Sequence, residues 1–237
     1  TGRGNCNLSE TFAIGGNVNY DLENGSLTYI FGYRHLDQGY INEYNASATN
    51  KYAGFILTDN AVHEQNSHEL KLNYALGDTI DLVTGLFYLK ETSDDRQTSF
   101  SGGTTAFRPI QDALYQHKVE TAAYYAQADI HATDALTVTV GGRYTWERKN
   151  LNFIKSTQFP TLSYGNSSVT AFGIPLSQTV KRFTPRIAVS YDINPDVMVF
   201  ASATNGFKSG GWNGTASAPQ NAVTFNPEKT WSYEAGL

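Results

Sequence analysis

The stretch that decides the fold is Phe183-Thr-Pro-Arg-Ile-Ala-Val-Ser-Tyr-Asp-Ile193, near the end of the chain. Its odd-numbered positions are mostly apolar, and its even-numbered positions include Thr, Arg, Ser and Asp. This period of two is typical of a β-strand with one apolar and one polar face. A short turn at 194–196 leads back through residues 197–207, whose register is ambiguous. Alternation returns at 231–237, so the segment predicts strand, turn, strand, long loop, strand.

Composition narrows the class of protein. The 237 residues are enough for one all-β domain, and no apolar run is long enough for a transmembrane helix. The 15 Tyr, 13 Phe and three Trp suit a surface that is apolar in its middle and wet at its edges. A net charge of -5, spread along the chain, argues against binding of nucleic acid.

The chain begins at Thr1 without a Met or an apolar leader, so we expect it to be an excerpt from a longer protein. Cys6 is its single cysteine, which provides neither a disulfide framework nor a metal cluster.

A hairpin near the start can be assigned a register. The Asn-Gly pair at 24–25 predicts a type I′ turn, since both residues tolerate a positive φ. Pairing across this turn places Leu22 opposite Leu27 and Tyr20 opposite Tyr29. A slip by one residue would send the polar residues to the apolar face.

Three further hairpins have short turns near 78, 133 and 195. Alternation assigns residues to one of two faces. The apolar face carries Leu72, Leu136, Val138, Val140 and Tyr191. The polar face carries Thr139, Lys71, Arg143, Arg186 and Glu234.

The connections fall into two kinds. The turns near 24, 78, 133 and 195 are short, whereas the connections at 38–66, 94–119, 151–180 and 208–228 are long. In an up-and-down meander, alternate connections lie at opposite ends of the sheet. Short turns at one end and long loops at the other are typical of outer-membrane β-barrels. A soluble β-sandwich or propeller is the alternative, but it would need crossover connections.

Several motifs resemble one known family. Gly141-Gly-Arg-Tyr144, Phe183-Thr-Pro-Arg186, Gly206-Phe-Lys-Ser-Gly-Gly-Trp-Asn213 and Tyr233-Glu-Ala-Gly-Leu237 look like the barrel of TonB-dependent receptors. The resemblance is strong over 67–237 and weaker before it. It implies an all-β, antiparallel, up-and-down transmembrane barrel of the 22-stranded type. Residues 1–237 would supply about nine strands of that barrel, without the plug domain. Their apolar face would contact lipid, and their polar face, which carries Lys71, Arg143, Arg186 and Glu234, would line the lumen.

The resemblance also implies a function. The whole receptor would lie in the bacterial outer membrane, contact its lipid, and import a scarce solute such as a siderophore, vitamin or glycan. Energy would come from the TonB–ExbB–ExbD complex acting through the plug and its TonB box. The alternative is a surface barrel without active transport, either a passive porin or an adhesin.

Catalytic chemistry is not indicated. His63-Glu64 and His68 have the spacing HExxxH, which differs from the HExxH zinc motif. No nucleophile and base are paired, and the glycines at 206–211 lack the ending of a phosphate-binding loop. We therefore expect no enzyme activity, no cofactor and no metal site.

The predicted long loops supply candidate ligand contacts, because aromatic, Arg and His side chains stack on or hydrogen-bond to solutes. These candidates are Tyr40, Tyr44, Tyr52, Arg108, Tyr115, His117, Tyr164 and Trp212. The loop residues 156–180 contain no Asp, Glu, Lys, Arg or His. An anionic chelate would need several basic residues, so we predict a neutral or weakly charged solute.

Overall fold

The computed structural model describes residues 6–45, 50 and 52–237. The described chain forms one antiparallel sheet of nine strands, in which sequence neighbours pair, and a small two-stranded sheet. The first six strands are β1 (Cys6–Leu22), β2 (Gly25–Asn45), β3 (Gly54–Leu76), β4 (Ile80–Ser101), β5 (Arg108–His131) and β6 (Leu136–Ile154). The remaining strands of the large sheet are β7 (Ser177–Asn194), β8 (Val197–Lys208) and β11 (Glu228–Gly236).

The connections after β6 and β8 contain secondary structure of their own. Helix α1 (Asn166–Thr170) lies between β6 and β7. Strands β9 (Gly211–Trp212) and β10 (Thr224–Phe225) form the small sheet between β8 and β11, with a 3₁₀ turn at Pro219–Asn221. In the part of the chain that the structure describes, no helix is long and apolar enough to cross a bilayer. The nine-strand antiparallel meander agrees with the predicted fold class.

Short turns join the strands at one end of the sheet, which we call the turn end. Gly77 begins the β3–β4 turn with a φ of +63°, a conformation that suits Gly. The Asn194 side-chain oxygen accepts a hydrogen bond from the Asp196 amide (3.0 Å), which closes the β7–β8 turn. These turns are formed by local chemistry within a few residues.

The first hairpin differs from the predicted register. Leu22 pairs with Gly25 and Tyr20 pairs with Leu27, so the pairing is shifted by two residues. The turn therefore consists of residues 23–24, and no non-glycine residue in the described part has a positive φ, so the predicted type I′ turn is wrong. A shift of two preserves the side-chain parity, and the predicted apolar face is unchanged.

The strands are longer than predicted, and the connections at the far end are correspondingly shorter. β2 and β3 occupy most of the predicted connection 38–66, of which residues 46–49 and 51 lie outside the described residues. β4 and β5 leave only 102–107 of the predicted 94–119. The other two connections are 155–176 and 209–227. The strands continue beyond the apolar belt, where polar residues occupy both faces and the hydrophobic alternation disappears.

One face of the sheet carries a continuous apolar belt. Across seven strands, the register aligns Val18, Tyr29, Leu70, Leu86, Tyr124, Tyr144 and Phe183 in one row. The last row of the belt, which we call the girdle row, contains Phe31, His68, Tyr88, Ala122 and Trp146. The next row is polar and contains Tyr33, Asn66, Lys90, Glu120 and Arg148.

The height of this belt matches a bilayer. From Leu136 beside the turns to Trp146 in the girdle row, β6 rises about 33 Å at ~3.3 Å per residue. A strand tilt of about 45° reduces this to about 23 Å along the bilayer normal, close to the ~25 Å apolar band of outer-membrane barrels. Val140 within the belt is 49% exposed, so no protein covers it in the described chain. We infer that lipid contacts this face, and we call the opposite face, which carries Thr139, the inner face.

Candidate functional site

A cleft lies on the inner face, beyond the girdle row and at the end away from the short turns. Its volume is about 520 Å³, within the ~300–1,000 Å³ range of small-molecule sites. His117 in its wall lies five residues along β5 from Ala122 of the girdle row, or about 16 Å. The cleft therefore opens at the long-loop side of the belt, which faces the cell exterior in outer-membrane barrels.

Four neighbouring strands build the wall of the cleft. The register aligns His63, Ser93, His117 and Leu151 in one row on the inner face. Rows on either side add Glu91 with Lys149, and Asp95 with Tyr115. These side chains converge because alternate residues of a strand point to the same face, even where both faces are polar.

The 209–227 connection forms the roof of the cleft. The Lys149 ammonium donates a hydrogen bond to the Gly210 carbonyl (3.1 Å), and the Gln178 amide donates to the Gly211 carbonyl (3.0 Å). The Trp212 indole donates to the Pro175 carbonyl (2.6 Å) in the neighbouring connection. A Cβ at Gly210 would lie 2.4 Å from a backbone oxygen, so only glycine allows this approach. The roof is thus held by several hydrogen bonds.

A small hydrophobic core supports the roof. Its buried members, which come from β6 and from the two connections 155–176 and 209–227, are Leu151, Phe153, Val169, Ile174, Ala216 and Ala222. Tyr164 packs against Phe153 with ring centroids 5.3 Å apart, and its hydroxyl donates to the Ala216 carbonyl (2.7 Å). The two connections therefore fold together as one packed unit on the sheet.

The electrostatics of the wall are balanced. Burial lowers the pKa of His117, and the Lys149 charge lowers it further, so this imidazole is mainly neutral at pH 7. Burial also raises the pKa of the Tyr115 hydroxyl, assisted by Asp95. Two carboxylates and two ammonium groups line the cleft, contributed by Glu91, Asp95, Lys149 and Lys208. No group of three or more His, Cys, Asp or Glu side chains within the described residues could hold a metal ion.

Three of the eight candidate ligand contacts meet in the cleft. They are Tyr115, His117 and Trp212, and the rings of His117 and Trp212 pack edge to face at 6.4 Å. Tyr40 lies on the inner face, where its strand neighbour is Asp59. Tyr164 is partly buried against the small hydrophobic core that supports the roof, and it does not line the cleft.

The other three candidates lie outside the cleft lining. Tyr44 is exposed, and its ring lies 6.2 Å from that of Phe55. Tyr52 packs edge to face on Phe107 at 6.0 Å. Arg108 is the exposed first residue of β5.

The four charged residues predicted to line the lumen share the inner face. Lys71 and Arg143 lie in one row with Gly85 and Tyr125 between them, and the Arg143 guanidinium lies 5.0 Å from the Phe87 ring centre. Arg186 pairs with Gly141, and Glu234 pairs with Ser202. None of the four lines the cleft, which lies nearer the long-loop end.

Sequence reasoning missed the charged wall of the cleft. His63, Glu91, Asp95 and Lys149 were not among its candidates, and Lys208 was placed at a loop boundary. If the strict alternation of β6 is continued beyond the belt as far as Ile154, it places Lys149, Leu151 and Phe153 on the same face as Arg143.

Comparison with known proteins identifies the fold and the family. Residues 3–237 match the family model described as TonB dependent receptor-like, beta-barrel. The pesticin receptor of Yersinia enterocolitica is 26% identical over 163 residues, which are 68% of this chain and 22% of that receptor. The metal-pseudopaline receptor CntO of Pseudomonas aeruginosa is 30% identical over 127 residues, 54% of this chain and 16% of that receptor.

Solved structures agree with the architecture. The ferric yersiniabactin uptake receptor FyuA from Yersinia pestis superposes with a TM-score of 0.74 at 18% identity, over 98% of this chain and 33% of that one. The copper transporter OprC superposes with a TM-score of 0.69 at 11% identity, over 99% of this chain and 37% of that one. This chain therefore spans about a fifth of the curated relatives and a third of the solved receptor. It belongs to the TonB-dependent receptor-like β-barrel family and lies in the bacterial outer membrane.

Proposed function

We propose that this chain is part of a receptor that captures a solute at the cell surface and imports it in a TonB-dependent manner. The observation that carries the proposal is the roofed cleft on the inner face, beyond the level of the apolar belt. Its aromatic and charged lining is suited to holding a small solute. The receptor would act as a transporter rather than as an enzyme, with energy from the TonB–ExbB–ExbD complex acting through a plug domain.

The proposed solute is a weakly charged metal chelate. Proteins similar to this chain include receptors for ferric yersiniabactin and metal-pseudopaline and a transporter for ferric citrate. The cleft contributes the balanced pairs of acids and ammonium groups described above, together with the aromatic rings of Tyr115 and Trp212. Such a lining favours stacking and hydrogen bonds over a strong net charge.

Trp212 is expected to be the main aromatic contact. Replacing Trp212 by Ala in the full-length receptor should weaken binding of the solute about 10- to 100-fold, as is common for a central Trp. Binding and uptake of ferric yersiniabactin, labelled with radioactive iron, provide the measurement. Trp231→Ala is the matched control, because Trp231 lies in β11, outside the cleft. Equal losses in both variants would contradict the assignment of the cleft.

The same assay tests the transport class. Uptake by the wild-type receptor should stop when the TonB system is deleted, while surface binding persists. Uptake that continues without TonB would favour a passive porin. Import of the strongly anionic ferric citrate in preference to ferric yersiniabactin would contradict the proposed solute class.

The balanced charge of the cleft also predicts weak dependence on salt. Between about 0.05 and 0.5 M salt, the affinity of the full-length receptor for its chelate should fall less than about threefold, because screening acts on net charge. Equilibrium binding at several salt concentrations measures this. A steep fall would indicate an anionic solute held by basic residues that this chain does not supply.

A further inference from the structure

Four basic side chains form a cluster on the lipid-facing side of the sheet, at the girdle row and just beyond it. We call this cluster the basic patch, and its members are Lys90, Lys118, Arg148 and Lys181. All four are exposed, and they come from the adjacent strands β4 to β7. These strands lie inside the sheet rather than at its edges, so their exposure does not depend on a missing neighbouring strand.

The register brings the four residues close together. Lys90, Glu120 and Arg148 are direct cross-strand neighbours in one row, which separates Lys90 from Arg148 by about 10 Å at ~4.8 Å per strand. Lys118 precedes Glu120 by two residues in β5 and so lies further from the girdle row, whereas Lys181 pairs with Trp146 in that row. A group bearing two or more anionic sites could therefore contact several members at once.

The charge of the patch is unbalanced locally. Glu120 is the one carboxylate among the four cations, and two further carboxylates, Glu64 and Asp94, lie at the border of the patch. The Asp94 carboxylate accepts a hydrogen bond from the Gln116 amide (2.8 Å). No member of the basic patch forms an ion pair or side-chain hydrogen bond with another described residue. On the neighbouring strands β2 and β3, the same level carries His35 and Glu64, whose side chains lie 3.5 Å apart. The positive charge is thus confined to β4 to β7.

The depth of the patch identifies what it meets. Tyr88 and Trp146 of the girdle row mark the edge of the apolar belt, and the basic patch begins at that edge and extends beyond it. Side chains at this level on the outward face contact lipid headgroups of the outer leaflet. Clusters of Lys and Arg at a membrane surface bind anionic headgroups, with about 1 kcal/mol per residue.

We propose that the basic patch binds the phosphorylated saccharide headgroup of an anionic glycolipid in the outer leaflet. The Lys and Arg side chains donate charge-assisted hydrogen bonds to its phosphate oxygens, while Tyr88 and Trp146 contact the start of its acyl chains. The site is separate from the solute cleft, which lies on the inner face.

The test uses the full-length receptor in a neutral detergent, titrated with phosphorylated lipid A and followed by native mass spectrometry. Lys90→Gln with Arg148→Gln should weaken binding about 30-fold, because two headgroup contacts are lost. The matched control is Lys155→Gln with Arg108→Gln, which also removes one Lys and one Arg, both exposed and outside the patch. Heat-induced changes in electrophoretic mobility and circular dichroism verify folding of each variant.

Glu120 gives a test of opposite sign. Glu120→Gln removes the one carboxylate of the patch and should strengthen binding about threefold, whereas a merely disrupted surface would bind more weakly. Dephosphorylated lipid A should bind no better to the wild type than to the double variant. The proposal is overturned if the patch and control variants bind lipid A equally, if dephosphorylated lipid A binds as well, or if millimolar inorganic phosphate displaces the glycolipid.

Discussion

Replacing Arg96 by Met is expected to destabilise the 155–165 segment by about 3 kcal/mol without unfolding the barrel. Asp112 is fully buried, and its two carboxylate oxygens accept hydrogen bonds from the Arg96 guanidinium at 2.9 and 3.0 Å. Removal of one partner of a buried pair costs about 3–5 kcal/mol, since the other charge is left uncompensated. We expect the lower end of that range because the Arg96 side chain is 35% exposed.

The pair also joins the loop to the sheet. The Arg96 guanidinium donates to the Gln158 side chain at 2.7 Å, and the Asp112 amide donates to the Leu162 carbonyl at 3.0 Å. An unpaired Asp112 carboxylate would regain water only if residues 155–165 moved away. The expected response is therefore local opening of this segment.

Hydrogen exchange at the Asp112 amide measures that opening directly, because its acceptor lies in the loop. Exchange should be about 100-fold faster in Arg96→Met, which corresponds to about 3 kcal/mol. Asp94→Asn is the control, since the exposed pair of Asp94 with Gln116 should contribute little. Arg96→Met combined with Asp112→Leu should recover part of the loss. Unchanged exchange in Arg96→Met would show that the pair does not hold the loop.

The pH dependence of the same contact has a defined sign. Burial alone raises the pKa of Asp112, but hydrogen bonds from Arg96, Ser156 and Thr98 and the Arg96 charge hold it below its usual value. A depressed pKa in the folded state contributes stability above the unfolded value of about 4. That contribution is lost as the pH falls through the folded pKa. Protection of the Asp112 amide should therefore decrease below about pH 4 in the wild type.

The apolar belt was predictable from sequence because, at this level, the two faces of each strand meet different solvents. Lipid requires apolar side chains on one face, so alternation is strong in segments such as Leu136 to Trp146. Beyond the girdle row, water contacts both faces and the alternation vanishes, although the hydrogen-bond ladder continues to Asn45 and Ser101. The hydrophobic period of two therefore located the membrane-spanning part of each strand, but it underestimated the full length of the strand.

Register and roof were less accessible to sequence reasoning, for different reasons. Parity assigns a face but cannot distinguish registers that differ by two residues, as the pairing of Tyr20 with Leu27 illustrates. Residue type predicted His117 and Trp212 as candidate ligand contacts, but the packing of their rings depends on the docking of 209–227 onto β6. The charge-free loop 156–180 was attributed to solute chemistry, whereas Val169 and Ile174 within it belong to a packed core.

A positive charge in the middle of the belt is expected to have the other large effect. Leu72 lies in the row of Leu27 and Gly142, about midway between the short turns and the girdle row. Arg at the midplane of an outer-membrane barrel costs about 2–4 kcal/mol, and this falls to about 0–1 kcal/mol near the interfaces. Leu72→Arg should therefore lower the free energy of unfolding of the full-length barrel by about 2–4 kcal/mol.

Adjacent residues supply the controls. Asn73 is the next residue of β3 and points to the inner face, where its amide donates to the Ser26 hydroxyl at 3.3 Å. Asn73→Arg should cost no more than about 1 kcal/mol, which is the typical value of one hydrogen bond. Val138 lies two rows nearer the turns than Leu72, so Val138→Arg should cost less than Leu72→Arg, and Thr139→Arg should cost little.

Reversible denaturant unfolding of the receptor from lipid vesicles gives the four free energies under one condition. The order expected from the register is Leu72→Arg as most costly, then Val138→Arg, then the two inner-face variants. Equal costs for Leu72→Arg and Asn73→Arg would mean that both faces of β3 meet the same solvent, and a larger cost for Asn73→Arg would invert the assigned faces. Because the two residues are adjacent in one strand, strand propensity and depth are matched, and only the solvent that each side chain meets differs.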